Sequence, residues 1–496
     1  MPDSLLIVVG SLVPLFAFTL ALAAGHTNPN DVVGTPIGSD LMLDTSFGDS
    51  GSAIMNFNDA NGTWDEPVRV IAAADGGLWV VGFHRPDDVG NDGLAIAKLG
   101  ADGAPDPAYG TNGQRVAAAG VTYINDAILG DDGRFYVAGQ YQATPSDAIE
   151  FGIGCVETDG EPCADFGDGG SVAVAMAAAG FSSGAARVLY RDGALYAIGN
   201  TDPGGGDFGH SSAIAVAKLD AATGALDPAF GNAGGGGAGK SMFDLNLFPA
   251  GLDYAYDAAF GVDGSGDSVV LIGGSAQTTD NQSSAAYVLA FDPTTGELDA
   301  SFGNAGVTYL PIQVGAHLDQ VSTTAIAVRA DGRILVAGNA NHDDADFNIT
   351  NDVLLAALKP DGGLDGDFSG GGLAHLNVGF NTETTAIALR ANGDLVVTVQ
   401  SNGLLPDEYE PFNLQSVIEF DANGAGPIAT TSLLFASDPE QSPLGRPKSV
   451  IIDTNDRVVV AGLRLWGYTN WPVPDFDFTA TRLVRDTIFA NGFEAE

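Results

Sequence analysis

The sequence predicts an all-β chain built from one four-stranded unit repeated seven times, and three observations predict it. First, an Asp-Gly or Asn-Gly turn between two short apolar runs recurs along the chain, most clearly in Thr323 to Gly338 (TTAIAVRADGRILVAG). Second, a phrase Leu-Asp-x-x-Phe-Gly, followed by a glycine and another strand, recurs with a period of about 60 residues, long enough for four strands. Third, the apolar residues come in short runs and alternations and not at the 3.6-residue spacing of helices. Short strands in fours at that period predict a single seven-bladed β-propeller of four-stranded blades.

Taken in order, Leu5 to Ala24 is almost purely apolar and ends in Ala21-Leu22-Ala23, a small-x-small pattern suited to signal peptidase. Residues 1–24 are therefore expected to be a signal peptide. Asp3 precedes the run and no Lys or Arg does, which leaves an uncleaved anchor as the alternative. The propeller is expected over 41–485. Its hairpins run from Asp75 to Gly82, Asp132 to Gly139, Asp192 to Gly199, Asp267 to Gly273, Asp331 to Gly338, Asn392 to Val399 and Asn455 to Gly462. These turns need positive φ, which Gly, Asn and Asp tolerate. Each hairpin is followed by a third strand, such as Ala213 to Leu219 or Val353 to Leu358; the Phe-Gly phrase then follows the first five, at Tyr109, Phe166, Phe230, Phe302 and Phe368, and a further copy at Phe47 precedes the first hairpin.

Naming the strands A, B, C and D, with A before the Asp-Gly turn and D after Phe-Gly, gives a chain that starts on D and ends on C. A strand at Ser52 to Phe57 is then expected to complete the last blade and close the ring, removing open sheet edges. The A strands carry small residues such as Ala127, Ala185, Ala258 and Ala325, suited to a crowded centre. Residues 486–496 are read as a short C-terminal tail.

The chain has 496 residues and a formal net charge of −44. Such a polyanion is repelled by phosphate backbones and anionic lipid, which excludes nucleic acid and membrane surfaces as partners beyond the N-terminal segment. An acidic, hydrated surface suits a monomeric exported protein.

The combination of Leu298 to Gly303, Asp331 to Gly338 and the Ala-x-Ala-Lys-Leu strands closely resembles the delta-60 repeat, a bacterial propeller repeat of unknown function. The resemblance implies a secreted or surface-exposed bacterial protein with a propeller fold, and it supplies no catalytic residues. The sixth hairpin, ending Thr398-Val399, and Ser369 in place of Gly after Phe368 depart from the pattern.

Strand order places the D-to-A and B-to-C loops at one mouth of the channel, where ligands are expected. In that set, Asp344, Asp346 and Asn348 occupy alternate positions that suit a hard cation such as Ca²⁺, although Ile349 and Leu355 replace the Gly and Glu of an EF-hand. His84, His210 and His342 fall in B-to-C loops of alternate blades, too far apart to share a metal, and His317 lies at the same mouth. Gly209 to Ala213 only half matches a nucleophile elbow, since a strand follows the serine. Cys155 and Cys163 flank the turn ETDGEP, so a disulfide and two buried free thiols both remain open.

Without a catalytic constellation, the expectation is a non-enzymatic exported scaffold that binds a protein or glycan partner. The alternative is an extracellular hydrolase or lyase with acidic residues at the long-loop mouth.

Overall fold

The computed structural model describes residues 32–36, 41–57, 64–85, 92–177, 180–202, 212–248, 251–279, 283–312, 319–343, 349–376, 380–404, 411–435, 445–470 and 473–485. Among them there are strands and turns and no helix. The strands group into antiparallel four-stranded units in chain order, a β-propeller-like arrangement. The first unit is Trp64–Ala72, Leu78–Arg85, Gly93–Leu99 and Gln114–Ala118, and the second Tyr123–Leu129, Arg134–Tyr141, Glu150–Glu157 and Ser171–Val174. The third is Ser183–Arg191, Ala194–Thr201, Ala213–Asp220 and Lys240–Phe243. The fourth is Leu252–Val262, Ser268–Gln277, Ser284–Phe291 and Val307–Tyr309. The fifth is Asp319–Val328, Ile334–Asp343, Ile349–Leu358 and Leu373–Leu376, and the sixth Phe380–Leu389, Leu395–Leu404, Pro411–Phe420 and Ala429–Phe435. The last unit follows the chain for three strands only, Gly445–Ile452, Val458–Asn470 and Val473–Arg485.

Ser52–Met55 pairs antiparallel with Phe478 to Thr481 of that last unit, where its fourth strand is missing. The expected partner is thus found. Leu41–Leu43 pairs with the next residues, Leu483 to Arg485, and Arg482 holds Asp44 at 2.8 Å. Neither Leu41–Leu43 nor Val32–Pro36 was expected as a strand; Val32–Pro36 adds a fifth to the sixth unit, alongside Ala429–Phe435. A single parallel bridge between Phe476 and Trp64 also joins the last unit to the first.

The core lies between units, not within them. One apolar cluster fills each interval between successive units, for example Phe166 with Leu195 between the second and third. Another cluster joins Val70, Val80 and Leu99 of the first unit to Val459, Phe478 and Ala480 of the last.

The repeated phrases are the parts that couple the units. Phe302 is fully buried against Gly362 of the following unit, and the Gly303 N–H donates to the Asp361 carbonyl at 2.8 Å. Phe47, Phe166, Phe230 and Phe368 repeat this clamp on Gly103, Gly224, Gly296 and Gly424. Burying each ring stabilises the joint by about 1.5–3 kcal/mol. Gly362 sits at φ +80°, and a Cβ there would lie 3.0 Å from the Phe302 ring, so the turn between the third and fourth strands serves the neighbouring unit as well as its own. Tyr109 breaks the series and packs instead against Trp79, ring centroids 5.1 Å apart.

Cys155 and Cys163 form a disulfide. The Cys163 N–H donates to the Cys155 carbonyl, the same backbone bond that Asp227 makes to Lys218 one unit later. There the two side chains form an ion pair at 2.9 Å, so the disulfide replaces a salt bridge across an equivalent turn.

Candidate functional site

Every inner A strand carries a register shift at the same place, opposite the end of the B strand. The B strand closes on glycine because the A-strand carbonyl before the shift crosses over it: a Cβ on Gly338 would lie 1.9 Å from the Ser322 oxygen. Where the sixth hairpin ends on Val399, its inner strand has a second shift, between Phe380 and Thr382.

One register position, paired with the residue after that closing residue, collects Glu66, Tyr123, Gly184, Tyr254, Ser322, Glu383 and Arg446 from successive units. All seven lie toward the starts of A strands, hence at the long-loop mouth. Beneath this layer, the residues just past the shift include Arg69, Asp126, Arg187 and Asp257. Arg69 grips Asp126 at 2.8 Å and Arg187 grips Asp257 at 3.0 Å. Asp126 also accepts the Val188 N–H, and Asp257 the Ile326 N–H. These carboxylates are engaged in joining units and are not open to a ligand.

A cavity of about 540 Å³ opens in the upper layer between the fourth and last units. Amides dominate its wall: Gln277, Gln320, Asn339, Asn341, Asn351 and Gln400. Three side chains there can carry charge or a proton, namely Tyr256, Glu383 and Arg446. Arg446 Nε donates to Gln400 Oε1, and Asn341 Nδ2 donates to Gln320 Oε1 at 3.2 Å. The Asn341 and Asn351 Oδ1 atoms are buried with no hydrogen-bond partner among the described residues. Each such acceptor costs about 1–3 kcal/mol until a donor reaches it, and a ligand hydroxyl is a suitable donor.

Tyr256 is the bulged residue of the fourth inner strand, which turns its side chain into the cavity wall. Its hydroxyl accepts a hydrogen bond from Ser275 Oγ at 3.3 Å, and its ring stacks with Tyr254. Burial pushes the phenol above its usual range, with the Ser275 bond opposing and the Tyr254 hydroxyl adding to the shift. It therefore keeps its proton at neutral pH. Glu383 is exposed at the rim.

The residues expected from sequence are placed differently. Asp344, Asp346 and Asn348, the calcium candidates, lie outside the described residues, as do His210, His317, the residues 1–24 and the tail 486–496. His84 pairs with the buried Asp65 at 2.7 Å. His342 and His375 both meet Asp352, at 3.3 and 3.1 Å. Among the described residues no group of three or more His, Cys, Asp or Glu side chains is placed to hold a metal ion. Glu383 and Arg446 stand on strands and not in the loops where ligands are expected, and Tyr256 is turned to the cavity by a bulge, so the loop pattern of the sequence does not mark them. Superposing the repeats in sequence would have put Glu66, Tyr123, Tyr254, Glu383 and Arg446 in one column.

No family model and no curated protein matches the chain. Among solved structures, similarity is found to a polysaccharide lyase of family PL25, an ulvan lyase bound to -[GlcA(1-4)Rha3S]-, with 11% identity, 86% of this chain and 95% of that one covered, and a TM-score of 0.42. The α-L-arabinanase of Penicillium chrysogenum, complexed with arabinobiose, is 10% identical over 87% and 97% of the two chains, with a TM-score of 0.40. The GH93 α-L-arabinofuranosidase of Fusarium graminearum is 11% identical over 58% and 80%, with a TM-score of 0.33. The expectation of a non-enzymatic scaffold is corrected here. The three structures just named are those of glycan-degrading enzymes, and the cavity described above brings together a phenol, a guanidinium and a carboxylate where the sequence reading found no such grouping.

Proposed function

We propose that this chain is an extracellular glycan-degrading enzyme, a hydrolase or lyase, whose active site is the amide-lined cavity at the long-loop mouth. The observation that carries the reading is the lining itself. Amides in number recognise hydroxyl-rich ligands, two of them hold out unpaired acceptors, and one guanidinium, one phenol and one carboxylate sit among them.

Of the two reaction types, β-elimination fits this lining better. Hydrolysis at a glycosidic bond generally needs two carboxylates on either side of it, and the described lining holds one, Glu383. In the lyase reading, Arg446 pairs with the carboxylate of a uronate ring and stabilises the charge that develops there. Glu383 takes the proton from the carbon beside that carboxylate. A carbon–carbon double bond forms, the bond to the glycosidic oxygen breaks, and Tyr256 gives the departing oxygen its proton.

The finer architecture belongs to the same proposal. A closed ring of seven blades is supported by the clusters between successive units, including last to first, and by the Ser52–Met55 pairing. The match of the repeated phrases to the clamps between units favours delta-60 ancestry, and the apolar N-terminal run favours export. The test is incubation of the purified protein with polygalacturonate and alginate, reading new reducing ends and unsaturated-uronate absorbance together. Both signals are expected to rise in step; reducing ends alone would move the reading to a hydrolase, and neither signal with either polymer would overturn it.

A further inference from the structure

Among the described residues, the exposed aromatic rings are Trp64 and Tyr123, 38% and 37% accessible. Both stand at the first residue of an inner strand, in the first and second units, and so at the same mouth as the cavity. The Arg85 guanidinium lies between them, 5.7 Å from the Trp64 ring centroid and 4.9 Å from that of Tyr123. Its Nε and Nη2 are taken by the two carboxylate oxygens of Asp92, at 2.8 and 3.0 Å, which leaves Nη1 outside that pair. Asp92 also accepts the Ile124 N–H, next to Tyr123, and so ties the two units together under the rings. Trp64 is equally fixed: its Nε1–H donates to Glu66 at 3.1 Å and its ring packs on Phe476.

We propose that Trp64, Arg85 and Tyr123 form a platform on which sugar rings of a glycan chain stack, outside the cavity where cleavage is assigned. The inference rests on the glycan reading above and extends it to polymeric substrates. Two exposed rings held rigid across a guanidinium suit the flat apolar faces of pyranoses, because little side-chain freedom is lost on binding. Arg85 Nη1 supplies a donor for a hydroxyl or carboxylate at the ring edge. Continuity with the cavity runs along the rim, since Glu66 also pairs with Lys448, two residues along the strand from Arg446.

Native electrophoresis in gels containing polygalacturonate or dextran tests this without requiring turnover. Wild-type protein is expected to be retarded by polygalacturonate, and Trp64→Ala and Tyr123→Ala each to weaken the dissociation constant by about tenfold. Tyr123→Ala serves if Trp64→Ala fails to fold, with the melting temperature of each variant as the check. Retardation by dextran to the same degree, lost in the same variants, would keep the platform but make it indifferent to charge. No retardation in either gel, or variants retarded like wild type, would overturn it. Glu383→Gln separates the two readings: it is expected to stay retarded while losing turnover, so a platform without catalysis and catalysis without a platform give different results.

Discussion

At the scale of single residues, the buried charges show what the sequence hides. Asp253 is the second residue of the fourth inner strand, buried, with the Leu245 N–H on its Oδ2 at 2.7 Å. Burial pushes its carboxyl up to about 6, the Leu245 bond opposes this, and the Asp244 charge adds to it. The folded chain thus holds a proton between about 4 and about 6 that the unfolded chain has released. Stability from this group is full below that window and is lost as the pH rises through it, by up to about 3 kcal/mol. Asp253→Asn is expected to melt higher than wild type at about pH 7.5 and no higher at about pH 4; equal melting at both would show that the carboxyl is ordinary. Nothing in sequence marks Asp253 among so many acids, since its environment comes from a partner eight residues away and from burial. Cys155 and Cys163 are an intermediate case: the local turn between them marks them as a candidate pair, and the structure decides for the disulfide over free thiols.

At the scale of elements, the hairpins were legible and their purpose was not. The Asp-Gly hairpin turn announces itself by composition, whereas the contact of the next turn, between the third and fourth strands, with the phenylalanine of the preceding unit joins residues about 60 apart and leaves no local mark. The contrast between two turn glycines tests this. Gly362 and Gly266 have similar positive φ, +80° and +89°, so alanine strains the backbone equally at both. A Cβ at Gly266 meets open space, while one at Gly362 meets the Gly303 nitrogen at 2.7 Å and the Phe302 ring at 3.0 Å. Gly362→Ala is expected to lower stability by about 2 kcal/mol more than Gly266→Ala in urea unfolding. Equal losses would mean that the clamp does not couple the units. The candidate site was illegible for a related reason: Tyr256 reaches the cavity only because a bulge re-aims it, and a bulge shows in the pairing register, not in the residue types.

At the scale of the whole molecule, the net charge of −44 bears directly on an acidic substrate. Long-range repulsion slows the encounter of a polyuronate with this surface, and salt screens it. The kcat/KM for polygalacturonate is therefore expected to rise severalfold between about 20 and about 200 mM salt, measured at fixed pH; a fall would point to local attraction by Arg85 and Arg446 outweighing the global field. The fold follows from the repeats, while the candidate site depends on what a few units carry at one register position and at one bulge, so the two were unequally readable. In the proposed reaction, Glu383, Tyr256 and Arg446 do the chemistry in that cavity. The most direct measurement is the rate of unsaturated-uronate formation by wild type and by Glu383→Gln of unchanged melting temperature. The account predicts product from wild type and a loss of at least about 100-fold in the variant; equal rates, or no product from the wild type, would contradict it.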